Sequence, residues 1–178
     1  MVDYPNDITT ADEVENPPGV AIDLYYIPYT QIETFAEPVS PSVTFGDQVI
    51  IADDHECITG KNFRHISLTM ATAEYTADPT GDRGSKILAP KLVARVQGFT
   101  AALLEFQKRS KQGRYLVIFK LNDGIKTQIG DAINPAEISI KSMTGKTGSG
   151  FRGVELEITS FQLATWLYQG AIPLTPAS

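Results

Sequence analysis

The chain has 178 residues, 42% hydrophobic and 20% charged, with 21 acidic against 15 basic side chains for a net charge of −6. That length can bury one real core, so a single domain is expected, and no apolar run nears the roughly 20 residues needed to cross a bilayer as a helix. The acidic balance argues against a protein that grips nucleic acid by its phosphates, though not against a surface past which DNA slides; the lone Cys57 excludes an internal disulfide framework and a multi-cysteine zinc site.

Residues Met1 to Gly19 carry Asp3, Asp7, Asp12, Glu13 and Glu15, end in Pro17-Pro18-Gly19 and show no sustained period. They read as an arm (1–19), either loose or docked on something else, ahead of one β-rich domain (20–178). The amino terminus lacks the cationic-then-apolar order of a secretory signal, so the expectation is a protein kept in the cytosol or released by lysis. Val20 to Ile27 alternates as a first strand. Pro28, Pro38 and Pro41 then interrupt the pattern around a short pairing segment at Gln31 to Phe35, and Val43 to Ile51 returns to strand character. Ala52 to Asn62 gathers Asp53, Asp54, His55, Glu56 and Cys57, with His65 beyond. This is the one cluster with the atoms for a metal site, but it matches no recognisable ligand spacing and reads as a polar loop, so no metal or cofactor is expected.

Phe63 to Ala77 reads as one long strand with a slip near Ala71-Thr72-Ala73, as a bulge or bend produces. Asp78 to Ser85 reads as a loop. Leu88, Leu92, Ala94 and Val96 then mark the returning strand, with Pro90 placing its first half at an edge. Phe99, Ala102, Leu103, Phe106 and Ser110 share one helical sector, which predicts a helix over Phe99 to Gln112. Thr100 is the expected N-cap, Phe99 and Leu104 the hydrophobic staple, and Gly113 the left-handed stop after Lys108, Arg109 and Lys111. Tyr115, Val117 and Phe119 alternate with Leu116 and Ile118, so both faces of this strand want burial and it should be central. Asn122-Asp123-Gly124 is a hairpin turn into Ile125, Thr127 and Ile129.

Ala136 to Ile140 reads as a short strand and Thr144 to Gly150 as a flexible tip. Gly145-Lys146-Thr147 imitates the end of a phosphate loop, and Gly148 to Gly153 imitates a dinucleotide fingerprint. No helix follows either to aim amides at a phosphate, so both are set aside. Val154, Leu156 and Ile158 point inward and Glu155, Glu157 and Thr159 outward. A last strand is expected over Phe161 to Tyr168 after a kink at Ser160.

Seven to nine strands and one helix predict a mainly β (α+β) domain: an antiparallel β-sandwich or partial barrel with one flanking α-helix. No serine, histidine and acid set stands in a recognisable motif, so no catalytic residues are assigned and an enzyme is not expected. The order of strand (Arg64 to Met70), glycine-containing loop (Thr80 to Gly84), strand, helix (Phe99 to Gln112), strand (Tyr115 to Lys120), Asn122-Asp123-Gly124 turn and closing strands resembles the tail tube proteins (major tail proteins) of long-tailed bacteriophages, over roughly Phe63 to Pro173.

That resemblance implies stacked, hexameric rings lining a channel for DNA, assembled in the host cytoplasm and carried in the virion tail. Its implied partners are further copies of the chain and other tail proteins: terminator, tape measure and baseplate or tip. DNA would pass without specific binding. Within that picture Glu155 and Glu157 are candidates for the channel lining, or equally for an outer surface. Pro17, Pro18, Asp82, Arg83, Tyr168 and Ile172 are candidates for contacts between subunits or rings. A terminator or head-to-tail joining protein of similar fold is the alternative. A small metal-dependent hydrolase using His55, Glu56 and His65 is the reading from another class.

Overall fold

A computed structural model describes residues 17–38, 46–148 and 150–175. Its central element is β8 (Tyr115–Leu121), which lies between β1 (Val20–Pro28) and β9 (Lys126–Ile129) and is antiparallel to both. The sheet continues outward from β1 to β5 (Arg64–Ser67) and from β9 to β12 (Trp166–Tyr168) and β3 (Ile50–Ile51), six strands in the order β3-β12-β9-β8-β1-β5. A second, four-stranded sheet has the order β10-β11-β7-β6, from β6 (Glu74–Thr80), β7 (Ile87–Gln97), β10 (Glu137–Met143) and β11 (Gly153–Thr159). The short strands β2 (Ile32–Thr34) and β4 (Glu56–Cys57) pair only with each other.

The two faces of β8 explain the layering. Tyr115, Val117 and Phe119 face the four-stranded sheet, where they meet Leu92 and Ala94 of β7 and Val154, Leu156 and Ile158 of β11 in the first core. Leu116 and Ile118 face away, into a second core of Tyr25, Ile27, Ile51, Phe63, Trp166 and Tyr168, roofed by the irregular chain around β2 and β4. Strict alternation on one strand thus supplies both interfaces. The fold is mainly β, a sandwich with a third irregular layer, and α1 (Ala101–Ser110) flanks it. Leu103 and Phe106 of α1 lean on the first core, and the Phe106 ring lies 4.8 Å from that of Tyr26. Thr100 caps the helix, its hydroxyl accepting from the Leu103 N–H at 3.3 Å.

Several expectations are corrected. The long strand over Phe63 to Ala77 is two strands in different sheets: β5 ends at Ser67, and the chain crosses through Ala71 (φ 57°) to β6. The crossing is pinned to β7, with the Thr69 N–H donating to the Arg95 carbonyl and the Arg95 N–H to the Thr72 hydroxyl. The slip in the pattern therefore marks a change of sheet. Asp78, Pro79 and Thr80 belong to β6, so the loop is confined to the hairpin tip beyond them. Pro90 sits inside β7 between two neighbours. Its carbonyl accepts from the Ser160 N–H, so the ring stands where an N–H would have returned a bond to Ser160, and the ladder forfeits one bond between the end of the β11 pairing at Lys91 and the Leu88–Gln162 bridge.

Gly113 is not a left-handed stop. A methyl at Gly113 would lie 2.2 Å from the Tyr115 hydroxyl, so glycine is needed to let the buried ring pass under the chain. The strand expected over Val43 to Ile51 reduces, among the described residues, to Ile50–Ile51 after a 3-10 turn at Asp47–Val49, and it joins β12 in parallel. The last strand is only β12. Gln162, Trp166 and Tyr168 are buried, whereas Phe161 and Leu163, the larger apolar residues of the opposite parity, are 57% and 75% exposed.

Candidate functional site

The carboxylates expected on one strand face do lie together on the outward side of β11, but neither stands alone. Glu155 accepts from Arg95 Nε at 3.1 Å and Glu157 lies 3.1 Å from Lys91 Nζ, both cations supplied by β7; Lys141 of β10 stands opposite Glu155. The strand is acidic; the sheet face is a lattice of alternating charge. Such half-exposed pairs contribute about 0–1 kcal/mol each, so they pattern the surface more than they hold the fold.

Pro17 and Pro18 are exposed where the arm joins the domain. The Pro18 carbonyl accepts from Asn122 Nδ2 at 2.6 Å and the Gly19 carbonyl from the Asn122 N–H at 3.2 Å, so the turn after β8 anchors the arm's root. The rest of the arm, residues 1–16, lies outside the described residues. Asp82 and Arg83 are exposed at the tip of the β6–β7 hairpin. Tyr168 is a correction: at 1% exposure it is interior and presents no surface to another subunit. Its hydroxyl donates to the Ala171 carbonyl and accepts from the His55 N–H, and burial pushes its pKa up to about 12. Ile172 packs against the second core, and the Phe63 N–H donates to the Pro173 carbonyl, so the carboxy-terminal segment is folded onto its own domain.

His55 is fully engaged. Its ring stacks on Tyr168 at 5.0 Å with planes 2° apart; Nδ1 accepts from the Ala36 N–H at 3.0 Å, which fixes the proton on Nε2, facing Gln128 Oε1 at 2.7 Å. Gln128 in turn donates to the Gly130 carbonyl. Burial lowers the imidazole pKa and keeps the ring neutral. With both nitrogens bonded, no lone pair is left for a metal or a base. His65 is on the exterior, 2.9 Å from Asp23, and Glu56 is exposed; among the described residues no group of three or more His, Cys, Asp or Glu side chains could hold a metal. Cys57 is buried, which raises its pKa and suppresses the thiolate.

Two surface features escaped the sequence reading. A groove of about 820 Å³ runs beside β6 and β7, lined by Pro79, Pro90, Arg114, Ile133, Pro135 and Phe161, among others; Ile133 is 83% exposed. A cleft of about 500 Å³ lies between α1 and the β1–β5 edge, floored by Tyr26, Phe106 and Tyr115 and flanked by Arg64 and Arg109. Burial stays on even positions through Ser160, Gln162, Trp166 and Tyr168 while the apolar letters move to odd ones, which leaves Phe161 outside; that mismatch was the available signal for the first. No protein-family model, curated protein or solved structure matches this chain.

Proposed function

We propose that this chain is a structural subunit that associates with copies of itself into rings, stacked as a tube through which DNA passes, after the manner of the phage tail tube proteins it resembles. The observation that carries the reading is the placement of two docking elements at opposite ends of the strands. The arm leaves from Val20, which pairs with Leu121 at the far end of β8. The groove is lined by Ile133 to Pro135, beside the Tyr115–Ala136 bridge at that strand's near end. On this reading the arm of one copy seats in the groove of the next, a head-to-tail contact that repeats without closing and builds a stack. Sixteen residues in extended form reach about 50 Å, enough to lie along a neighbouring subunit.

The four-stranded sheet is guarded against indiscriminate pairing, which favours assembly through shaped contacts. Gln107 of α1 donates to the Ile140 carbonyl on the edge of β10, and Pro79 removes an N–H from the free edge of β6. The mixed charges around Glu155 and Glu157 suit a wall that neither traps nor strongly repels a passing polyanion. The test is negative-stain microscopy of the purified full chain beside a form lacking residues 1–16. The reading expects tubes from the first and rings without stacks from the second. A monodisperse monomer at high concentration would overturn it, and single rings that never elongate from the full chain would transfer it to a tail terminator or joining protein.

A further inference from the structure

The charges of this chain are partitioned along the sequence. The first 60 residues hold 12 of the 21 acidic side chains and none of the 15 Lys and Arg, so they carry −12 and the remainder carries +6. Part of each population gathers over a different edge of the six-stranded sheet, although Asp23 pairs with His65 and Lys120 on the β1 side and Lys126 lies near Asp54 on the β12 side. Glu37, Asp53, Asp54 and Glu56 rim a recess over the β12 side, where Asp54 accepts from the Ala171 N–H. Arg64 and Arg109 flank the cleft at the β1–β5 edge, and Lys108 and Lys111 follow on the last turn of α1 and its cap. Four strand spacings separate β12 from β5, roughly 20 Å, too far for the recess to close on its own chain's cleft.

From this arrangement we propose that the basic aromatic cleft is the lateral contact of the ring, and that its occupant is the exposed acidic rim, Glu37, Asp53, Asp54 and Glu56, of a second copy's recess. The inference rests on the reading of the chain as a ring-forming subunit and assigns which surfaces meet. Charge complementarity selects the occupant. The cleft and the helix end present four cations against the single acid Glu105, which pairs with Arg109, while the recess presents four carboxylates. The cleft also fits a polypeptide better than a free anion: Gln31 lines it with an amide oxygen that is buried and unpartnered, an acceptor for a backbone N–H. The contact joins two different patches, so it is heterologous and can close into a ring. It differs from the end-to-end contact of arm and groove.

The experiment is a charge swap followed by sedimentation velocity at low and high salt and by microscopy. K108E/K111E and D53K/E56K each reverse exposed side chains on one surface. Each is expected to raise the concentration needed for assembly at least tenfold at 50 mM salt, and wild-type assembly is expected to weaken comparably in 0.5 M salt. Mixing the two variants, or combining all four changes in one chain, restores complementary pairs and is expected to restore rings; melting curves confirm that each variant folds. Assembly of both variants at the wild-type concentration overturns this inference and leaves the self-assembly reading standing, as does failure of the mixture to rescue. A wild-type chain that stays monomeric overturns both.

Discussion

The two cores show opposite ways of covering a sheet. The first, between the two sheets, is made of alternating strand residues, and its members at 0% exposure, such as Leu92, Val117, Phe119 and Ile158, are apolar. The second is roofed by irregular chain and enriched in aromatics, and it encloses the polar pair His55 and Gln128, both 1% exposed. Regular strands satisfy their own backbone groups in the ladder, so the side chains between sheets are free to be hydrocarbon. A layer without ladders must find partners for its N–H groups. The Ala36 N–H finds one in the His55 ring and the His55 N–H in the Tyr168 hydroxyl. The second core is therefore held by a small number of directional contacts, and it should be the first to yield.

The largest effect is expected in the first core. Phe119→Ala removes a fully buried ring that lies 5.0 Å from Tyr75, and should cost about 3–5 kcal/mol in chemical denaturation, with loss of the whole domain at once. Next comes His55→Ala, expected to cost about 2–3 kcal/mol because it leaves the Ala36 N–H and Gln128 Oε1 without partners. Hydrogen exchange should then rise around residues 32–37 and 52–57 before it rises in β8. If β8 opens equally, the two cores are one cooperative unit and the contrast fails.

The same histidine gives the comparison a pH axis. Its folded pKa lies below the ordinary value, so the unfolded chain binds the proton more readily and stability is lost as pH falls through about 6.5, at up to ~1.4 kcal/mol per pH unit. His55→Gln should flatten that slope. Exchange followed against pH should show the roof over the second core loosening first, with the β7–β11 ladder unaffected over the same window.

Gly113→Ala tests the join between α1 and the first core. The added methyl meets the buried Tyr115 ring, so about 1–3 kcal/mol should be lost by overpacking. The smallest effect belongs to Thr100→Ala, which removes the N-cap and should cost about 1 kcal/mol, read as a small drop in midpoint at unchanged m-value.

Where a pattern depends only on a segment's own period, the letters sufficed. β8 buries both its faces as its unbroken apolar run requires, and β11 turns Val154, Leu156 and Ile158 inward. The Thr100 cap forms, and Gly124 takes a positive φ in the turn after β8. Where the outcome depends on which partner a segment meets, the letters misled. The irregularity at Ala71 to Ala73 reads equally as a bulge or a change of sheet, and only the presence of β7 beside it decides. Gly113 looked like a helix stop because helices often end in glycine, yet its role is set by a ring two residues on. Tyr168 looked available because it is near the end of the chain, yet it is buried against a histidine 113 positions away.

The sequence by itself determined a mainly β chain organised on one two-faced strand with one capped helix, because period and capping are local properties of the backbone. Only the tertiary structure decided that His55 is an interior strut with no free nitrogen, that the charges of β11 are answered by those of β7, and that acidic and basic surfaces lie on separate edges of one sheet. Those facts depend on distances between residues far apart in the chain, and no local pattern encodes them.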